Sequence, residues 1–405
     1  SSTLPSSSEF SLADLHLPVL HPGNVQEVLD LARHGVYLSR ASGLWSAIKI
    51  VTSVADGAAN AEVGPDRIRP VMPTFLYQGK PYVATVTGSV GPPMTNGIER
   101  ELYEARLEVA RLYGVENNLN RVTIDAPDAW IGILASGRVY HEVLEALHTL
   151  GLGEADLPKL GIRMIQIGMM HPLDASVMRQ LTKGLAEVLV VEEKRNFLEL
   201  HLKEALYGVT GAPLITGKTD PDGRPLVQGW GALDADLLVE PIFRRLSTRI
   251  DQARLRGPQP APAIGVKKKI ELLPSRTPFF CSGCPHNTGT KVPEGAAVGA
   301  GIGCHGMVTL MDPGRVGNIM GITQMGGEGS SWVGIEPFVR TDHFIQNMGD
   351  GTFAHSGSLS IRMAASANAH ITFKILYNDA VAMTGGQDAA GAMTIPSLTY
   401  WLRSE

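Results

Sequence analysis

The chain has only three cysteines, confined to the 24 positions from Cys281 to Cys304. So few thiols exclude a disulfide scaffold, suit a reducing compartment and leave metal or redox work as their interesting use. Runs of 18 or more apolar residues are absent, so no membrane span is supported, and there is no secretory pattern. An excess of basic residues is also missing: 35 Lys and Arg face 40 Asp and Glu, with one cluster at Lys267-Lys268-Lys269. A net charge of -5 gives no electrostatic footprint for nucleic acid. The expectation is a cytoplasmic protein with neither nucleic-acid nor membrane partners. Without an initiating Met, and stopping soon after a helix expected near Pro396, the chain reads as a piece of a longer polypeptide.

What is present is an ordinary globular composition, 44% hydrophobic over 405 residues, enough for two or three domains. Ser1 to Ser8 reads as a loop, Asn24 to Ser39 as a helix and Gly43 to Ala55 as another, with no sheet of their own. A Pro-marked boundary at 70–73 and a Gly/Pro loop at 87–96 precede a charged helix over Gly97 to Tyr113. Strands then alternate with helices: Trp130–Ala135, Val139–Leu150, Ile162–Ile167, Ala175–Gly184, Glu187–Glu192 and Asn196–Tyr207. This α/β order predicts parallel sheets covered by helices on both faces. Residues 216–276, rich in Pro, Gly and charge, read as a linker with a helix over Asp234 to Arg256, and a second α/β domain starts at 277. Glu192-Glu193-Lys194-Arg195 reads as a solvated turn with local ion pairs.

The second domain is organised around Ile345-Gln-Asn-Met-Gly-Asp-Gly-Thr-Phe-Ala-His-Ser-Gly357 and Ile371-Thr-Phe-Lys-Ile-Leu-Tyr-Asn-Asp379. A strand over His343 to Met348, a helix over Ser356 to Ala367 capped by Ser356, and a strand over His370 to Leu376 make a βαβ unit. Its right-handed crossover makes the strands parallel, so Asp350 and Asn378, 28 residues apart, emerge on one sheet edge. Gly349 and Gly351 allow close approach of a bulky anion, and the Asp and Asn oxygens suit Mg²⁺, so a Mg²⁺-bridged diphosphate fits. The competing reading is a plain Gly-Asp-Gly turn. A glycine-rich loop, Ile319 to Gly329, ends 21 residues before Asp350 and opens a helix. Thr384-Gly-Gly-Gln387 either closes over the diphosphate or is a plain loop.

The cysteines form C-x2-C-x19-C: Cys281, Cys284 and Cys304. Thiolates three apart on a tight turn, joined by a distant third, fill three corners of an iron-sulfur cluster. The alternatives are zinc with His286 or His305, or inert buried thiols. Histidine is the side chain best suited to proton exchange near neutral pH, although a lone one is more often structural. His355, five residues past Asp350, and His286 are the acid–base candidates.

FFCSGCPHNTGTKVPEG, GIGCH, QMGGEGSSWVG, MGDGTFAHSG and ILYNDAVAMTGGQ, in this order, resemble the long fused form of indolepyruvate ferredoxin oxidoreductase. That family comprises thiamine diphosphate-dependent 2-oxoacid:ferredoxin oxidoreductases. The resemblance implies thiamine diphosphate-enzyme type sheets in an internal fragment. Residues 1–75 would be the tail of a pyrimidine-binding domain, 80–215 a transketolase C-terminal-like domain, and 277–405 an incomplete diphosphate-binding domain. It implies cofactor binding by Met325, Gly326, Gly349, Asp350, Gly351, Thr352, Asn378, Ala380 and Thr384. Mg²⁺ would be held by Asp350, Asn378 and the Ala380 carbonyl, and a [4Fe-4S] cluster by Cys281, Cys284 and Cys304. The glutamate that activates the aminopyrimidine and a fourth cluster cysteine would lie outside these residues. The implied reaction is oxidative decarboxylation of an aryl pyruvate to an acyl-coenzyme A, with electrons passing to ferredoxin, in a homo-oligomer. A non-oxidative thiamine-dependent decarboxylase or carboligase is the competing enzyme, and a non-catalytic cofactor-binding module the competing class.

Overall fold

A computed structural model describes residues 7–86, 91–257, 279–378 and 380–404. It separates into two compact units, Ser1–Gly265 and Val266–Glu405. The expected start of the second domain at 277, the lysine cluster at 267–269 and part of the 87–96 loop lie outside the described residues.

In the first unit the helix Val25–Ser42 (α1) starts at Asn24, whose side chain accepts the Glu27 N–H, and ends at Gly43 in the left-handed region, φ 73°. That stop explains why no long helix follows over 43–55: the chain forms the two-residue strand Ala47–Ile48 and the short helix Thr52–Ala55 instead. The expectation that this region lacks a sheet is also corrected. Val19–Leu20 pairs in parallel with Ala47–Ile48 and antiparallel with Met169–His171.

The main sheet uses Asn120–Ile124 (β1), Ile131–Ser136 (β2), Ile162–Ile167 (β3), Glu187–Val191 (β4) and Leu214–Thr216 (β5), in the order β5-β4-β2-β3-β1. β2 and β4 are buried along their whole length, as near-continuous apolar runs in a sheet covered on both faces should be. The sheet is not purely parallel: β1, not anticipated, runs antiparallel to β3 at the edge. The helices Arg138–Thr149 (α2) and Ala235–Leu246 (α3) pack with these strands in a core that includes Val143, Leu147, Leu189, Leu238 and Ile242.

The linker reading fails for much of 216–257. Leu226, Val227, Leu233, Leu246 and Leu255 are buried in that same core, each contributing about 1.5–3 kcal/mol on a transfer scale. Arg245 of α3 also clamps buried Glu187 through Nε and Nη2, at 2.7 and 2.8 Å. The solvated reading of Glu192 is corrected as well. Its carboxylate is buried and accepts the N–H groups of Leu198 and Glu199 at 2.8 and 3.0 Å, satisfying the start of helix Phe197–Leu206. Burial pushes its carboxyl up to about 7.

The second unit is built on Ala297–Ala300 (β6), Asn318–Ile322 (β7), Phe344–Gly349 (β8) and Ile371–Leu376 (β9), all parallel in the order β7-β6-β8-β9. The chain leaves β6 towards one side and β8 towards the other, so the β6/β8 crevice is a topological switch point, where open α/β sheets take ligands. β8 is followed at once by helical turns that begin at Asp350, pass through a π segment over Phe353–Gly357 and continue as Ser358–Ser366. Ser356 is therefore inside this helical run and not its cap, because Gly349, extended at φ -74° and ψ 149°, makes the turn into it. No helix among the described residues is long and apolar enough to cross a membrane.

Candidate functional site

All four strands of the second unit point the same way, so the segments that follow them meet at one edge. β8 and β9 pair to their last residues, Gly349 with Leu376, which brings Asp350 beside Asn378. Asp350 Oδ2 accepts the backbone N–H of Asn378 at 2.8 Å, and Oδ1 accepts that of Gly351 at 2.9 Å. Asn378 Oδ1 in turn accepts the Ala380 N–H at 3.3 Å. Carboxylate and amide oxygens of this kind are the hard donors that a cation such as Mg²⁺ takes.

A pocket opens here. Its lining includes His286, Cys304, His305, Met325, Gly349, Asp350, Gly351, Thr352, Asn378, Ala380 and Thr384. Nearly the whole expected set is thus brought together from five separate stretches of chain. Gly326 is not part of the lining but supports Met325: at φ 89°, it has no room for a side chain, since a Cβ would sit 2.6 Å from Ser356 Oγ. Gly349 and Gly351 differ. A Cβ on Gly349 would meet nothing closer than His305 Nε2 and Thr352 Oγ1 at 3.9 Å, and one on Gly351 nothing closer than Val381 at 3.5 Å. Packing within the chain does not require these two glycines, whereas a bulky anion close to the backbone does. The Thr384 loop closes on itself, with Val381 N–H donating to the Gln387 carbonyl at 2.8 Å.

The histidines part company. His286 is buried against Phe280, ring centroids 5.4 Å apart, with Nδ1 unpartnered, and burial lowers its proton affinity while Asp350 opposes this. His305, also buried, is held down to about 4 by burial, with a smaller contribution from His286. His355 is exposed, outside the pocket lining, and its Nδ1 is 2.7 Å from Ser356 Oγ.

Cys304 is half-buried in the pocket wall, and Cys281 is exposed. Burial raises the Cys304 thiol, and Cys284 and Cys281 raise it further. Among the described residues, no three His, Cys, Asp or Glu side chains form a ready metal cage. An Asp, an Asn and a backbone carbonyl are a different donor set, suited to a hard cation that keeps water ligands. Glu328 is not among the residues expected from the sequence. It is fully buried next to the pocket, and a lone carboxylate among the glycines of QMGGEG was the available signal.

Two family models match this chain: an indolepyruvate oxidoreductase domain over 121–256 and the C-terminal TPP-binding domain of thiamine pyrophosphate enzymes over 301–400. The indolepyruvate oxidoreductase subunit IorA of Methanothermobacter marburgensis is 28% identical over 390 residues, covering 93% of this chain and 57% of the relative. IorA of Archaeoglobus fulgidus is 27% identical, covering 93% of this chain and 56% of the relative. The chain thus spans little more than half the length of these curated relatives. Among solved structures, 2-oxoglutarate:ferredoxin oxidoreductase from Magnetococcus marinus matches with a TM-score of 0.35 at 12% identity, over 56% of this chain and 42% of that one. Most of the pocket lining falls inside the segment matched by the TPP-binding model, and IorA relatives align along nearly all of the chain, which is thus similar to indolepyruvate oxidoreductases.

Proposed function

We propose that the second unit binds the diphosphate of thiamine diphosphate through Mg²⁺, within a 2-oxoacid:ferredoxin oxidoreductase. The observation that carries this reading is the Asp350–Asn378 junction at the ends of β8 and β9, next to the switch point and beside a pocket flanked by glycines that internal packing does not require. Asp350, Asn378 and the Ala380 carbonyl would hold Mg²⁺, with Gly349, Gly351 and Thr352 along the diphosphate and Met325 and Thr384 on the pocket wall. Bound thiamine diphosphate would supply the electron sink for decarboxylation. The chain's own contribution is orientation and exclusion of water, with His286 proposed as an acid–base imidazole in the buried pocket lining.

The substrate proposed is an aryl pyruvate of the indolepyruvate type, with coenzyme A taking the acyl group and ferredoxin or a similar carrier taking electrons. The names of the IorA relatives support the substrate class. Cys281, Cys284 and Cys304 are proposed as three thiolates of a [4Fe-4S] cluster, supported by their C-x2-C-x19-C spacing and by the influence of Cys281 and Cys284 on Cys304. Residues 1–75 and 80–215 are proposed as the pyrimidine-domain tail and the transketolase C-terminal-like domain, and the whole as a cytoplasmic homo-oligomer.

The test is calorimetric titration of thiamine diphosphate into the full-length protein with Mg²⁺ and with chelator. Saturable binding that disappears with chelator is expected. Binding indifferent to Mg²⁺, or none, overturns the placement.

A further inference from the structure

Glu328 is completely buried, yet only one of its carboxyl oxygens has a hydrogen-bond partner. Oε2 accepts the Gly326 N–H at 2.7 Å, fixing the turn that follows Met325. Oε1 has none. On the other side of Gly301 lies His305, whose Nε2 is 3.1 Å from the Ile302 carbonyl oxygen. A carbonyl only accepts, so Nε2 carries the proton and Nδ1 is the acceptor nitrogen. Nδ1 is buried and also without a partner.

Both groups lie against Gly301. A Cβ built on Gly301 would lie 2.8 Å from His305 Cε1, the carbon between the two ring nitrogens, and 2.9 Å from Glu328 Oε1. Position 301 must therefore be free of a side chain for the two groups to face each other. A buried oxygen and a buried nitrogen each lacking a partner across one glycine are complementary once a proton lies between them. Burial also pushes the Glu328 carboxyl above its usual range, favouring the form with a hydrogen to donate.

We propose that Glu328 is a positioning residue that donates from Oε1 to His305 Nδ1 through one water, and so ties the Met325–Gly326 turn to the loop carrying Cys304. Two walls of the pocket then move as one: the turn is held by Oε2, the loop by Oε1. The link is structural in the free protein, while its importance for cofactor affinity rests on the thiamine-site reading. Gln, with an amide N–H₂ to donate and an oxygen to accept, should replace Glu. Ala and Met should not.

The test uses full-length protein labelled with ¹⁵N-histidine, without cofactor, with the His305 resonances identified by loss in His305→Gln. Wild type and Glu328→Gln are expected to show His305 as the Nε2–H tautomer with a hydrogen-bonded Nδ1. In Glu328→Ala and in Glu328→Met, which keeps the side-chain bulk should the Ala variant not fold, the Nδ1 resonance should move to the position of a free acceptor. Identical His305 resonances in wild type and Glu328→Met overturn the proposal, as does a Gln variant that behaves like Met. Titration with thiamine diphosphate and Mg²⁺ forms a separate arm, with affinity about tenfold lower in Glu328→Met and restored in Glu328→Gln. Absence of binding in wild type would refute the thiamine-site reading and leave the resonance result standing.

Discussion

Asp350 Oδ2 receives the backbone N–H of Asn378 at 2.8 Å, so two residues 28 positions apart form one corner of the pocket. The contact follows from register. Six consecutive pairs join β8 to β9, ending at Gly349 and Leu376, and the residues just beyond have no strand to continue and turn towards each other.

Replacing Asp350 by Ala removes the carboxylate, and Asn378→Ala removes the amide oxygen, from the proposed Mg²⁺ site. Either change is expected to weaken Mg²⁺-dependent thiamine diphosphate binding by more than about 100-fold, roughly 2.7 kcal/mol. Calorimetry on full-length variants checks this, and unchanged affinity in both would refute the assignment.

Single Cys→Ser changes at Cys281, Cys284 and Cys304 should each lower iron and sulfide content in anaerobically prepared full-length protein. The paramagnetic resonance spectrum of the reduced protein should change with them. Stoichiometric zinc without iron, or a cluster signal indifferent to all three changes, would move the function towards non-oxidative thiamine chemistry.

Gly326→Ala combines a left-handed φ of 89° with a Cβ 2.6 Å from Ser356 Oγ. A loss of about 1–3 kcal/mol in the stability of the second unit is expected. Urea unfolding followed by Trp332 and Trp401 fluorescence measures it, with Gly351→Ala as a comparison whose Cβ has room and which should cost less.

Glu187 accepts from Thr216 Oγ1 at 2.7 Å and from two nitrogens of Arg245. Truncating Arg245 to Ala leaves that buried carboxylate without its counter-charge, at a cost of about 3–5 kcal/mol. Arg245→Ala together with Glu187→Leu should cost less than the sum of the single changes, which chemical denaturation of the four proteins tests.

Acid stability should depend on His21. Burial holds its imidazole down at about 3, and that of His171 at about 4, so both stay neutral in the fold. Unfolded, each takes a proton near pH 6.5. Between about pH 6.5 and those lowered values the unfolded state binds more protons, so stability falls as pH falls through that window and is independent of these groups above it. Glu192, raised to about 7, acts oppositely between its ordinary value and 7. The readout is therefore the difference between wild type and His21→Gln: melting temperatures between pH 5 and 7 should decline less steeply in the variant.

The alternating elements of the α/β core are legible in the sequence, because apolar runs and capping residues are local signals. Ile162–Ile167 was read to the residue, and Asn24 marked the start of α1. The sequence also placed Asp350 and Asn378 on one edge, since a right-handed βαβ crossover leaves no other arrangement. What it could not decide depends on contacts between distant segments. The polar, Pro-rich stretch at 216–257 hides its few leucines one or two at a time, and only packing against α2 and β4 makes them core. His355 lies close to Asp350 in sequence, but the helical turns starting at Asp350 carry it out to solvent. Glu328 looks like one more exposed acid in a flexible loop. The close approach of Gly301 buries it, since only the folded backbone brings a glycine from after β6 against a carboxyl from after β7.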